Sequence, residues 1–219
     1  MPIQVYDYRT DLANLIVDPA IRGRFRQVAV GPAPRPHSHD IAGEIFIVLT
    51  GQCEFLVEDE RVTCGPGQLI YVAPRLRHAL HAVGDEVCTI FLCVTPHVEP
   101  THTLYDADDR RLPPAYGTWR GAGDGDPHPD VPTATLSEVY VAATERLAGL
   151  AARNAEEARR QHDALAAASG DQPAAKESMD ALWASLHDLL VQVSALEASW
   201  NSLAPRAMPT TTPPAPAPS

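Results

Sequence analysis

The stretch Gly31-Pro-Ala-Pro-Arg-Pro-His37-Ser-His39-Asp-Ile-Ala-Gly43-Glu44-Ile-Phe-Ile-Val-Leu-Thr-Gly51 decides the fold. In an extended strand successive side chains alternate between faces, so His37 and His39 project from one side, about 6 to 7 Å apart along the chain. Glu44 has the wrong parity to join them on a straight strand. It reaches them only if the chain turns, and Asp40 to Gly43 is a turn-forming segment ending in a glycine, which tolerates a positive φ. The apolar run after Glu44 then reads as a strand with Phe46 and Val48 on the face of the carboxylate.

Outward from this stretch, Gly67-Gln-Leu-Ile-Tyr-Val-Ala-Pro74-Arg-Leu-Arg-His78 reads as a strand, a proline-led loop and a histidine opening another strand. Three imidazoles, His37, His39 and His78, with the Glu44 carboxylate suit one divalent first-row transition ion, Fe, Mn, Ni, Co, Cu or Zn. Turned into an apolar interior without an ion, the four would be unpaired buried polar groups. His81 falls on the face opposite His78 and Leu80 and is expected at the surface. Between residues 24 and 95, short β-branched runs alternate with Gly, Pro and charged turns, the pattern of an antiparallel sandwich or barrel. By parity Cys53, Phe55 and Val57 face inward, as do Leu69, Tyr71 and Ala73. Arg24 and Arg26 share a face, either solvated or holding a substrate carboxylate by bidentate hydrogen bonds. The substrate-binding candidates are therefore Arg24, Arg26, Phe46, Phe55 and Tyr71. Tyr71, the one titratable oxygen on the inward faces, is also the catalytic candidate.

The first stretch resembles the first motif of the cupin superfamily, G-x5-H-x-H-x4-E-x6-G, at Gly31, His37, His39, Glu44 and Gly51. The second resembles the family's second motif at Gly67, Pro74 and His78. Arg75 stands where the family usually has a turn glycine, Gln68 replaces the common Asp, and no Asn follows His78 at the usual spacing. The resemblance covers roughly residues 20 to 95. It implies a mainly β protein, a cupin-type jelly-roll barrel or double-stranded β-helix, with a metal on His37, His39, Glu44 and His78.

Residues 135–204 differ in kind, being rich in Ala, Leu, Glu and Arg, and are expected to form an α-helical hairpin broken at Ser169 to Pro173. Thr135 and Glu138 have capping-box spacing. In the second arm Met179, Leu182, Leu186, Leu189, Val193, Leu196, Trp200 and Leu203 alternate spacings of three and four, an a/d seam. In the first arm Leu136, Tyr140, Ala143, Leu147 and Leu150 keep that rhythm before Asn154, Glu157 and Gln161 take over the seam. The expected organisation is a barrel over 1–120, a Pro/Gly-rich linker over 121–134, the hairpin over 135–204 as an association element, and a disordered Pro-rich tail over 205–219. A seam this long and apolar points to a homo-oligomer, a dimer through barrel or hairpin.

Net charge is −11, from 17 bases and 28 acids, and no segment gathers the Lys/Arg density that nucleic-acid binding requires. No apolar run is long enough for a membrane span and no secretion signal is evident, so a cytoplasmic protein is expected. The 4 cysteines, Cys53, Cys64, Cys88 and Cys93, lie in strand-like runs without CxxC spacing and read as buried free thiols. The functional expectation is a metal-dependent, dioxygenase-like enzyme acting on a small molecule. The alternatives are a non-catalytic binding or sensing cupin and a metal-dependent isomerase or lyase, the latter needing a proton-transfer group that a loop histidine, His97 or His102, would supply.

Overall fold

The computed structural model describes residues 3–120, 125–168 and 170–208. These divide into two compact units, one holding all strands together with Ala204–Met208, the other Pro127–Leu203. The first contains β1 (Asn14–Asp18), β2 (Ile21–Val28), β3 (Gly43–Thr50), β4 (Gln52–Val57), β5 (Glu60–Cys64), β6 (Leu69–Val72), β7 (His78–Val83) and β8 (Cys88–Thr95). They form two antiparallel sheets of order β1-β2-β8-β3-β6 and β5-β4-β7, the cupin-type sandwich that the motifs imply.

The core lies between the sheets. Phe46 and Val48 from β3, Cys53 and Phe55 from β4, and Ile90 and Val94 from β8 are each at most 1% exposed. Burying one such side chain contributes roughly 1.5–3 kcal/mol, so the inward parity of these strands is strongly fixed. Gly51, at φ 72°, joins β3 to β4 at a point where a Cβ would lie 2.7 Å from the Val87 carbonyl oxygen. No other residue type fits that turn. All four cysteines are buried and free.

The register also corrects one expectation. Val72, not Tyr71, stands opposite Glu44 in the β3–β6 pairing, so Val72 faces inward at 1% exposure while Leu69 and Tyr71 point outward at 58% and 57%. The β3–β6 register sets the parity of β6, and a slip of one residue moves every side chain to the other face. Tyr71 instead covers Gly43, where a Cβ would come within 2.7 Å of its ring. The glycine before Glu44 thus leaves room for the Tyr71 ring and does not supply a positive φ.

In the second unit α1 (Thr133–Ala167) and α2 (Gln172–Leu203) form the hairpin. The α1 N-cap is Pro132 with no side-chain capping bond, so Thr135 lies inside the helix and the expected capping box is not formed. Pro173 sits in the first turn of α2, where its missing N–H has no intrahelical partner to lose. On α1 the residues that lose exposure are those of the a/d rhythm, Leu136 through Leu150 and on to Asn154, Glu157 and Gln161. On α2 the seam is rotated from the expected one. Ser178, Gln192 and Ser199 are the most buried, with Leu182, Leu189 and Leu196 beside them, while Met179 and Leu186 are exposed. Gln192 Nε2 donates to the Ala143 carbonyl at 3.1 Å, which satisfies a polar group in the middle of the seam. Residue 205 does not begin a disordered tail: Ala204–Ala207 form a turn of 3-10 helix in which Ala204 and Pro205 are buried. The rest of the expected tail, 209–219, and linker residues 121–124 lie outside the described residues.

Candidate metal centre

Residues 37–39 form a short extended segment held on both sides. His37 and His78 exchange backbone hydrogen bonds at 3.0 and 2.8 Å, and Ser38 and Thr103 do so at 3.1 and 2.7 Å. The Arg75 N–H donates to the His39 carbonyl at 2.7 Å, with Arg75 at φ 72°. The backbone there takes the left-handed conformation that a glycine would adopt without strain. These pairings place His37 beside His78, and the bends at Asp40 and Ile41 bring β3 back so that Glu44 joins them.

The ligand-type atoms of His37, His39, Glu44 and His78 lie within 4.8 Å of one another. Glu44 Oε2 is 2.9 Å from both His39 Nε2 and His78 Nε2. The opposite ring nitrogens are already committed, His39 Nδ1 to the Thr101 carbonyl and His78 Nδ1 to the Leu76 carbonyl at 3.0 Å. A carbonyl oxygen only accepts, so each Nδ1 carries a proton and each Nε2 offers either a second proton or a lone pair to the carboxylate. Two lone pairs aimed at a carboxylate oxygen repel, and a divalent cation among the three groups removes that conflict. The donor set, the buried setting and the carbonyl partners that fix the tautomers all fit a metal ion. Burial alone would raise the Glu44 pKa, but hydrogen bonds from His39 and His78 hold it well below the ordinary value. Burial, followed by the field of His78, pushes His37 down to about 3, so at neutral pH its ring is neutral and its nitrogens are available as donors to a metal.

A cavity of about 400 Å³ opens above this group, lined by Arg22, Arg24, Arg26, Phe46, His102 and Trp119 among others. Phe46 and both arginines proposed from parity therefore lie on it. Phe55 does not: it packs behind Phe46, ring centroids 5.2 Å apart, in the core between the sheets. Tyr71 is on the outer surface and has no place in the site. His81 faces outward as expected, 3.8 Å from the Glu54 carboxylate.

Arg22 had no assigned role in the sequence, and His102 was one of two loop histidines, with His97, offered for proton transfer. The His102 ring centroid is 4.8 Å from that of His37 and 4.9 Å from that of His39. Its Nδ1 is held by the hydroxyls of Thr101, at 2.9 Å, and Thr118, at 2.7 Å. Arg22 completes an alternating Arg-x-Arg-x-Arg run on β2. The run itself was the available signal, since Arg22 shares the parity of Arg24 and Arg26. His97 is buried edge-on against Trp119, ring centroids 4.6 Å apart, and burial followed by Arg22 lowers its pKa to about 4.

Residues 25–95 match the family model described as a cupin domain. With the two-sheet sandwich and the motif residues gathered at one point, this makes the segment over residues 25–95 a cupin domain, in a chain that carries a C-terminal helical region. No match is found among the curated proteins. Among solved structures, the chain is similar to KdgF from Halomonas sp., with 21% identity over 38% of this chain and 77% of that one and a TM-score of 0.35. It is also similar to a cupin 2 domain-containing protein from Halorhodospira halophila, with 27% identity, coverage of 42% and 62%, and a TM-score of 0.37. A third is the DMSP lyase DddQ from Ruegeria pomeroyi, with 23% identity, coverage of 40% and 44%, and a TM-score of 0.36.

Proposed function

We propose that this protein is a metal-dependent enzyme acting on a small molecule bound above His37, His39, Glu44 and His78, and that its reaction moves a proton through His102. The single observation that supports this reading is the placement of His102, whose ring lies against two of the candidate ligands and lines the cavity. A divalent ion on those four residues would act as a Lewis acid, polarising a substrate oxygen. The Thr101 and Thr118 hydroxyls fix the His102 ring through Nδ1, which leaves Nε2 to take up or deliver a proton. Phe46, Leu80 and Leu92 line the cavity with apolar surface, excluding water from the reacting atoms. The sequence favoured dioxygenase-like chemistry because Tyr71 was the only proton-transfer group on the inward faces. With His102 in the cavity, an elimination or isomerisation has the base it lacked.

The test loads the protein with Fe²⁺, Mn²⁺, Ni²⁺ or Zn²⁺ and offers hydroxy, keto and unsaturated carboxylates while oxygen uptake is followed. Turnover without oxygen consumption, abolished in His102→Gln at unchanged metal content and retained in Tyr71→Phe, is the expected result. Oxygen consumed in step with substrate would overturn the proton-transfer reading in favour of dioxygenation. Tight binding without turnover under any metal would make the protein a binding or sensing cupin. We further propose that the full-length chain self-associates. The exposed apolar residues Met179, Trp183, Leu186 and Leu190 on α2 support this, and a strictly monomeric mass in light scattering would refute it.

A further inference from the structure

We infer that the cavity takes a small carboxylate and that the Arg22 guanidinium is its anchor, an inference that relies on the proposed function only for where the reacting atoms lie. Arg22 is 3% exposed and lines the cavity. Its Nε has no hydrogen-bond partner, and no carboxylate oxygen comes within 4.0 Å of its guanidinium among the described residues. The Trp119 ring lies 5.6 Å from its guanidinium carbon. The two carboxylates whose fields it feels are engaged elsewhere. Glu44 is held by His39 and His78, while Glu99 accepts from the Trp119 Nε1–H and the Gly117 N–H. A buried guanidinium left in this state costs stability, and folded proteins keep such a group where a ligand completes it.

The sheet register sets the reach. Arg22 pairs with Val94 on β8, and Val94 pairs with Glu44 on β3, so the arginine stands level with the carboxylate of the candidate metal centre, two strands away. At about 4.8 Å per strand this is roughly 10 Å between backbones, which a guanidinium and a three- to five-atom carboxylate together span. Among the described residues Glu44 is the only acidic one on the cavity wall, against Arg22, Arg24, Arg26 and Arg120. A divalent ion would add to that excess. The cavity is therefore positive within a chain of net charge −11. The planar fork of the guanidinium matches the two oxygens of a carboxylate.

The experiment titrates malonate, its neutral analogue malonamide, and inorganic phosphate into the full-length protein by calorimetry, before and after chelator treatment, with metal content measured on the same samples. Malonate should bind saturably and malonamide should not. Arg22→Gln should weaken malonate about tenfold or more, as loss of a charge-assisted pair does, while metal content stays unchanged. Arg22→Met, which removes an uncompensated buried charge, should raise the melting temperature of the ligand-free protein. It should also abolish the stabilisation that malonate gives the natural chain. Undiminished malonate binding by Arg22→Gln would overturn the inference, as would a melting temperature lowered in Arg22→Met, because the arginine would then be structural. Phosphate binding more tightly than malonate would overturn the carboxylate assignment. Malonate binding that depends on Arg22 in a protein that takes up no metal would support the anchor while refuting the metal centre.

Discussion

Glu44, His39, His78 and Arg22 are each less than 5% exposed inside the β-sandwich, whereas the polar side chains buried in the helical hairpin are the neutral Ser178, Gln192 and Ser199. Charged and titratable groups are expensive to remove from water, and a sandwich filled with Phe46, Phe55, Ile90 and Val94 would be more stable without them. The hairpin holds polar residues that satisfy themselves locally, as Ser199 does through the Leu196 carbonyl at 2.7 Å. The difference shows where the fold gives up stability for a site. The barrel needs a large apolar core to offset that cost, and the hairpin has nothing comparable to offset.

This contrast is testable at several scales. The largest effect should come from the core: Phe55→Ala should lower stability by about 3–5 kcal/mol in urea denaturation, and Leu150→Ala in the hairpin by about 2 kcal/mol. Equal costs would show that the two units are packed alike. The next effect is pH dependence. His97 has a folded pKa near 4 against about 6.5 when unfolded, so the unfolded chain binds the proton first as pH falls. Its contribution is present above pH 6.5, is lost as pH falls from 6.5 toward 4, and amounts to about 2 kcal/mol between pH 6.5 and 5. His97→Phe should flatten the stability profile in that window, and an unchanged slope would show that His97 is not the group titrating. The smallest effect is a gain. Arg75→Gly should stabilise the barrel by about 1 kcal/mol, since a glycine takes the positive φ without strain. A loss of stability would mean that the Arg75 side chain makes up for its backbone.

Three residues of the candidate metal centre were legible because their relation is local: His37 and His39 share a face by parity, and the Asp40–Gly43 bends return the chain to place Glu44; His78, distant in the chain, was legible from the second motif. Arg75 was legible as a departure, and the structure places it in the left-handed region. His102 was legible only as an alternative to His97, because it reaches the site through pairing of Thr103 with Ser38, a tertiary contact that no spacing encodes. Tyr71 misled because the face of a four-residue strand is set by its partner's register. The helical composition of the hairpin was plain. Its rotation was not, because α2 carries two adjoining apolar stripes and only one of them faces α1.

The most direct test of the central claim is elemental analysis of the purified full-length protein beside His39→Ala, His78→Ala and their double variant. The account predicts about one equivalent of a divalent transition metal in the natural chain, a sharp reduction in each single variant and none in the double variant, with circular dichroism showing that the sheets remain. A double variant that keeps a full equivalent, or a natural chain that takes up none when offered Fe²⁺, Mn²⁺, Ni²⁺ and Zn²⁺ in turn, would contradict it.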